Sequence, residues 1–164
     1  MIILGVDPGS VVTGYGLLFC ENNKEKVLEY GVIRTNKKAL AEKLLEIHEK
    51  LFEIIKKKKP EQFAIEETFY SKNVKATLTM GQARGSAILA AAKAGIEIFE
   101  YSPKEVKMAV TGRGNATKRQ IQFMIKSILN LKELPQPEDA SDALAIAFCH
   151  AQKIKTKNLL KKYK

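Results

Sequence analysis

The order of strand-like and helix-like segments constrains the fold of this chain more than any other feature of its sequence. Short apolar or alternating runs predict strands, and apolar residues at helical spacing predict helices. The predicted strands are 2–7, 13–20, 26–35, 62–69 and 96–101, and the predicted helices are 41–55, 74–94, 103–112, 117–130 and 137–152. Three antiparallel strands followed by strand-helix alternation predict an α/β fold, with a mixed five-stranded sheet flanked by helices.

The length of the chain fits one domain with a sizeable core. It has 164 residues, of which 45% are hydrophobic and 28% are charged, as in ordinary globular proteins. We find no internal repeat and no linker. We therefore predict a single domain over residues 1–152 and a separable basic C-terminal tail over residues 153–164.

No apolar run is long enough to cross a membrane. The longest runs, such as 2–6 and 87–92, are far shorter than the roughly 20 residues of a transmembrane helix. The N-terminus begins with a strand-like run and lacks the basic and apolar regions of a signal peptide. We therefore expect a cytoplasmic protein without a membrane partner.

The charge balance favours a polyanionic partner. Lys and Arg number 28 against 18 Asp and Glu, which gives a net charge of +10. Such an excess favours nucleic-acid binding through counterion release and electrostatic steering. Runs such as 56–59 and 153–164 are equally compatible with solvated ends, so charge alone leaves this question open.

Several carboxylates lie at the ends of predicted buried elements. Asp7 ends an apolar strand, where open α/β sheets display ligand-binding groups, although Asp-Pro-Gly is also ordinary turn chemistry. Glu66 and Glu67 interrupt another apolar run and must point to opposite faces of the sheet. The sequence alone does not choose between these two glutamates.

Two further acids lie at the start of the last predicted helix. Asp139 and Asp142 are one helical turn apart and precede a wholly apolar stretch, although acids are also favoured there by the helix dipole. An oxygen-only ligand set without His or Cys suits Mg²⁺ or Mn²⁺ better than Zn²⁺. An acidic centre in a basic protein is the arrangement expected for two-metal phosphodiester cleavage.

Motifs along nearly the whole chain match one family pattern in order and spacing. They are 3–10, 13–16, 63–67 with Phe69, 72–73, 81–85, 99–101, 106–107, Gly112, Lys118 and 139–147. On these motifs the chain resembles the RuvC family of Holliday junction resolvases. The resemblance implies an RNase H-like nuclease domain, a homodimer, and symmetric metal-dependent cutting of a four-way DNA junction in homologous recombination and DNA repair. It also implies 5′-phosphate and 3′-hydroxyl ends, and cooperation with the branch-migration proteins RuvA and RuvB.

The resemblance also implies roles for individual residues. It assigns the metal ligands to Asp7, Glu66, Asp139 and Asp142, which would hold two Mg²⁺ ions that Mn²⁺ can replace. Glu67 then takes a supporting or purely structural role. The remaining predicted residues are Lys107 and Lys118 as catalytic and DNA-binding lysines, Phe69 against unstacked bases, and Lys72, Arg84 and Arg113 as DNA contacts. For Arg113, in a glycine-flanked stretch, a plain surface loop fits equally well.

Two other function classes share some of these features. An actin-like ATPase also has a strand followed by Asp-x-Gly, but such proteins repeat the fold in two domains and this chain offers one. A non-catalytic junction-binding module would use only the positive charge and would need no buried acids. Nucleotide binding would identify the first class. The second would be identified by neutralising Asp7, Glu66 and Asp139 without loss of activity.

Overall fold

The computed structural model, which describes residues 1–67 and 73–162, has the element order that the sequence predicts. Its strands are β1 (Ile2–Asp7), β2 (Val12–Glu21), β3 (Lys24–Arg34), β4 (Gln62–Glu66) and β5 (Glu97–Tyr101). Its helices are α1 (Leu40–Lys58), α2 (Val74–Lys93), α3 (Pro103–Thr111), α4 (Lys118–Ile128) and α5 (Glu138–Lys162). The predicted order βββαβαβααα is confirmed.

The strands form one mixed sheet in the order β3-β2-β1-β4-β5. β2 pairs antiparallel with both β1 and β3, whereas β1 and β5 each pair parallel with β4. The predicted mixed five-stranded sheet is therefore confirmed. Because β1 and β4 are adjacent and parallel, Asp7 and Glu66 end at the same edge of the sheet.

Helices cover both faces of the sheet. One core packs Leu4, Phe63 and Ile65 against residues of α1 and α2, and the other packs Ile3 and Ala64 against residues of α3, α4 and α5. Successive strand residues point to opposite faces. The alternation from Ile3 to Asp7 and from Ala64 to Glu66 therefore directs both acids toward the α5 side.

Helix α5 lies directly on the backbone of β1 and β2. A Cβ atom placed on Gly14 would lie 1.9 Å from the carbonyl oxygen of Asp139, and one on Gly5 would lie 2.2 Å from that of Ala143. No side chain larger than hydrogen fits at either position. These glycines therefore set how closely the acidic first turns of α5 approach the end of β1.

Most of the predicted C-terminal tail is helical. Helix α5 continues to Lys162, ten residues beyond the predicted end of the domain. Within this extension Lys153 Nζ donates to Glu105 Oε1 at 3.0 Å, and Lys155 Nζ lies 2.5 Å from Glu25 Oε1. The division between domain and tail stays a prediction. No helix in the described ranges is long and apolar enough to cross a membrane.

Candidate active site

A cleft beside the sheet edge gathers the predicted catalytic residues. Its volume is about 470 Å³. The polar side chains that line it are those of Asp7, Glu66, Lys107, Lys118, Asp139 and Asp142. Two strand ends and three helices thus contribute the polar side chains of one site, although these residues are far apart in the sequence.

The two adjacent glutamates lie in different surroundings. Glu66 is the last residue of β4 and lines the cleft, half-buried. Glu67 lies beyond the strand and is exposed, and its backbone N–H donates to the carbonyl oxygen of Tyr101 at 2.9 Å. Glu66 is therefore the glutamate that shares a site with Asp7, as the family resemblance implies.

Two capping boxes fix the helices that carry the lysines. Ser102 and Glu105 cap α3 reciprocally, and Thr117 and Gln120 do the same for α4. Each box satisfies backbone N–H groups that have no partner inside the helix. Lys118 is therefore held at the first residue of α4, at the mouth of the cleft.

Burial and repulsion between carboxylates raise the pKa of both Asp7 and Glu66. The pKa of Asp7 is raised to about 8, first by burial and then by the charges of Asp142, Glu66 and Asp139. The pKa of Glu66 is raised to about 7, again first by burial, while Lys118 and Lys107 oppose the rise. A nearby cation would favour the charged carboxylates. A cation bound here would therefore lower the pKa of both acids.

Lys118 partly neutralises the acidic cluster. Its Nζ donates to Asp142 Oδ2 at 3.0 Å, and this hydrogen bond raises the pKa of Lys118. The pKa of Asp142 is nevertheless raised, because burial outweighs the effect of Lys118. The lysine side chain is 69% exposed, so it can leave Asp142 at little steric cost.

The donor set fits hard divalent cations in type and charge. Carboxylate oxygens are the ligands that Mg²⁺ and Mn²⁺ prefer, and the acids that line the cleft repel one another. Within residues 1–67 and 73–162, no three His, Cys, Asp or Glu side chains are already arranged to hold a metal ion. The carboxylates would therefore have to draw together around a cation, and Lys118 would have to release Asp142.

The predicted DNA contacts lie in different surroundings. Arg84, on α2, donates from Nε to the carbonyl oxygen of Glu66 at 3.0 Å and pairs with Glu100. Arg113 lies in the exposed loop between α3 and α4, where its backbone bonds the hydroxyl of Thr111. Phe69 and Lys72 lie outside the described residues.

Some residues that shape the site were not predicted from the sequence. The apolar walls of the cleft include Val12, Met80 and Ile121, which belong to none of the family motifs. Only packing brings these three side chains together, and no local pattern marks them. The surface on which α5 packs could have been predicted from the sequence. Gly14 and Gly16 are two residues apart and so lie on one face of β2, which permits a close approach of the helix.

Comparisons with known proteins agree on one family. The family model described as Crossover junction endodeoxyribonuclease RuvC matches residues 3–150. A RuvC of that description from Pelotomaculum thermopropionicum is 51% identical over 152 residues, 92% of this chain and 93% of that protein. The structure of Thermus thermophilus RuvC matches with a TM-score of 0.87 and 34% identity, covering 96% of this chain and 97% of that one.

A second Thermus thermophilus structure shows RuvC in complex with Holliday junction substrate. Its chain matches with a TM-score of 0.86 and 32% identity, covering 95% of this chain and 96% of that one. The structural matches to RuvC confirm the RNase H-like fold that the motifs imply.

Proposed function

The chain belongs to the RuvC family of crossover junction endodeoxyribonucleases, and from this premise we propose that it resolves Holliday junctions by symmetric hydrolysis of two DNA strands. The observation that carries the proposal is the cleft in which four carboxylates meet two lysines. The similar Thermus protein has been solved with a Holliday junction substrate. The two alternatives, an actin-like ATPase domain and a non-catalytic module, gain no support from these comparisons.

We further propose Asp7, Glu66, Asp139 and Asp142 as the ligands of two Mg²⁺ ions, for which Mn²⁺ can substitute. Bound there, such ions would generate hydroxide from water and stabilise the charge that develops on the phosphate. The raised pKa values of Asp7 and Glu66 support this assignment, because perturbed carboxyls concentrate at functional sites. The expected products carry 5′-phosphate and 3′-hydroxyl ends.

Lys118 and Lys107 are the proposed partners of the scissile phosphate. Both line the cleft, and both lower the pKa of Glu66, so their positive charge reaches the acids. Lys118 exchanges its bond with Asp142 for the phosphate when DNA arrives. A cation fixed beside the reacting phosphate stabilises the negative charge of the transition state more than a mobile ion in water does. Phe69, Lys72 and Arg113 remain proposed DNA contacts on the family resemblance.

A homodimer, with α2 at its interface, is the proposed assembly. Val74, Leu78 and Leu89 are 69%, 62% and 61% exposed, and their spacing places them on one face of the helix. Gly81 and Gly85 lie on the same face, and a Cβ atom added to either would meet nothing within 4 Å beyond the adjoining backbone of α2. A twofold pair would present two active sites, as symmetric cutting requires. Action in the cytoplasm and cooperation with RuvA and RuvB are expectations from the family.

The test is cleavage of a labelled synthetic four-way junction, with a linear duplex of the same sequences beside it. We expect paired symmetric cuts in the junction with Mg²⁺ or Mn²⁺ and none in EDTA. Asp7→Asn should bind the junction without cutting it. Glu67→Gln, which neutralises the exposed neighbour of Glu66, is the matched control and should cut normally.

The alternatives predict different results in the same assay. Junction binding without cleavage in Mg²⁺ and in Mn²⁺, across several crossover sequences, would identify a non-catalytic module. Normal cleavage by Asp7→Asn would contradict the proposed ligand set. Saturable ATP binding by the wild-type protein would favour the actin-like class instead.

A further inference from the structure

Arg84 joins three elements at the strand end that carries Glu66. It lies on α2, and its Nε donates to the backbone carbonyl oxygen of Glu66 at 3.0 Å. A second nitrogen of the same guanidinium pairs with the carboxylate of Glu100 on β5. The arginine side chain is only 18% exposed, whereas that of Glu100 is 48% exposed, so the bond to the Glu66 carbonyl is the more sheltered of the two contacts.

Backbone pairing on one side of β4 stops just before Glu66. The parallel ladder between β1 and β4 ends at the pair Val6 and Ile65. Beyond Asp7 the β1 chain continues into Pro8, which has no backbone N–H with which to extend the ladder. On the other side β5 still pairs with β4, because Glu66 is opposite Tyr101. The Arg84 bond thus reaches the strand at the residue where its pairing with β1 has already ended.

We infer that Arg84 is a positioning residue, which fixes the backbone of Glu66 so that its carboxylate stays aimed into the cleft. The inference rests on the proposed function in that Glu66 is taken as a ligand of the catalytic metal. Glu100 orients the guanidinium, since a planar arginine fork loses little freedom when a carboxylate holds it. The two contacts use neighbouring nitrogens of the guanidinium, which therefore points toward acceptors within the protein.

Two other roles for Arg84 give different outcomes. An arginine that binds a DNA phosphate would change junction affinity and its salt dependence, with little effect on the cutting step. If Arg84 merely stabilises the fold, its replacement would destabilise the whole protein, including strands far from the cleft. If Arg84 is a positioning residue, its replacement would change the order of the strand end and the rate of cutting, while the affinity for the junction stays the same.

The experiment compares Arg84→Met with Glu100→Gln and with the matched control Arg34→Met, at an exposed arginine that ends β3. Hydrogen exchange is measured first, in metal-free protein without DNA. We expect the Glu67 amide to exchange about tenfold faster in Arg84→Met, with a smaller increase in Glu100→Gln and none in Arg34→Met. The amides of Leu4 and Leu17, in the middle of the sheet, should exchange at the wild-type rate in all three variants.

Junction binding in EDTA and single-turnover cutting in Mg²⁺ are measured next. Arg84→Met should bind within about twofold of the wild type and cut about tenfold more slowly. Arg84→Lys keeps the charge near Glu100 without the two-pronged geometry, so its cutting rate should lie between those of the wild type and Arg84→Met.

The outcomes separate this inference from the proposed function. Unchanged exchange at Glu67, or weaker binding with a normal cutting rate, would overturn the positioning role. Faster exchange throughout the sheet would reduce Arg84 to a stabilising contact. If exchange rises only at Glu67 but the wild-type protein cuts no junction, the strand-end contact stands and the proposed function fails.

Discussion

At the scale of single residues, the burial of Asp7 acts against its ionisation. Folding carries this acid into a cleft where burial and three other carboxylates raise its pKa to about 8. A bound cation would offset the repulsion between these carboxylates. Asp7, a proposed metal ligand, is therefore expected to weaken the metal-free fold.

The first prediction concerns the pH dependence of stability in EDTA. Folded Asp7 keeps its proton until about pH 8, whereas the unfolded chain releases it near pH 4. The folded state therefore binds more protons between these values, and its free energy of unfolding falls as pH rises through this window. Asp7→Asn should flatten the slope and, at pH 8, raise Tm by roughly 2–4 °C for each kcal/mol relieved.

Thermal unfolding of both proteins from pH 5 to pH 8 measures this effect. Buried His150, whose pKa is lowered to about 4, contributes a slope of the opposite sign, but that contribution is the same in both proteins and cancels. Mg²⁺ should stabilise the wild type more than Asp7→Asn. Parallel pH profiles for the two proteins would show that Asp7 is not under the strain inferred here.

At the scale of elements, the position of α5 decides where two of the acids lie. The helix touches the bare backbone of β1 and β2 at Gly5 and Gly14. A side chain at either glycine would meet a helix carbonyl oxygen, which cannot rotate away as a flexible side chain can. The contacts at Gly5 and Gly14 therefore fix the distance between α5 and the two strands, and with it the geometry of the cleft.

The second prediction is that Gly14→Ala displaces the first turn of α5. The added methyl group would lie 1.9 Å from the carbonyl oxygen of Asp139, so the helix must move. We expect a loss of about 1–3 kcal/mol in the free energy of unfolding, as for other overpacked sites. We also expect junction cutting to fall by at least about tenfold, because misplaced catalytic groups are costly.

Gly31→Ala, on the neighbouring strand β3, is the control for this change. Its added methyl group would meet the hydroxyl end of Tyr15 at 2.9 Å, a side-chain tip that can shift. Urea titration and single-turnover cutting should show a much smaller effect for Gly31→Ala than for Gly14→Ala. Equal effects at the two glycines would mean that α5 tolerates displacement.

At the scale of the whole molecule, one helix connects assembly with the active site. α2 presents the exposed stripe of the proposed subunit interface, and its Arg84 contacts the backbone of Glu66. Its inner side packs Ala83, Ala87, Ala90 and Ala91 against the core. A single element thus faces the sheet, the catalytic strand end and the proposed partner copy.

The third prediction is that Leu78→Lys yields folded monomers. The side chain is 62% exposed in one copy, so its replacement should not disturb the protomer core. A charge buried between two copies would be costly, because α2 carries no acidic side chain that could pair with it. Sedimentation equilibrium should report a monomer, and the paired cuts in a junction should become independent single cuts.

Leu159→Lys, at a 52% exposed position on α5, is the matched control and should stay dimeric. A Leu78→Lys protein that sediments as a dimer would place the subunit interface elsewhere. A wild-type protein that sediments as a monomer at all concentrations would contradict the dimer itself.

Local patterns along the chain were enough to establish the order of the elements and to identify the candidate functional residues. Strand alternation and helical spacing are local properties, so they could be read without knowledge of the packing. The same reasoning placed Asp7 at the end of a strand, as the structure has it. It could not choose between Glu66 and Glu67, because that choice depends on which face of β4 meets α5.

Which distant residues share surroundings depended on the packing of the sheet and its helices. Packing brought Glu66 and Asp142 to one cleft and turned Arg84 toward a backbone carbonyl. Each of these outcomes joins segments that are far apart in the chain, and their energies arise from burial, repulsion and close packing. Such terms exist only once the sheet and its helices have been assembled, which is why the local pattern could name the acids but not their partners.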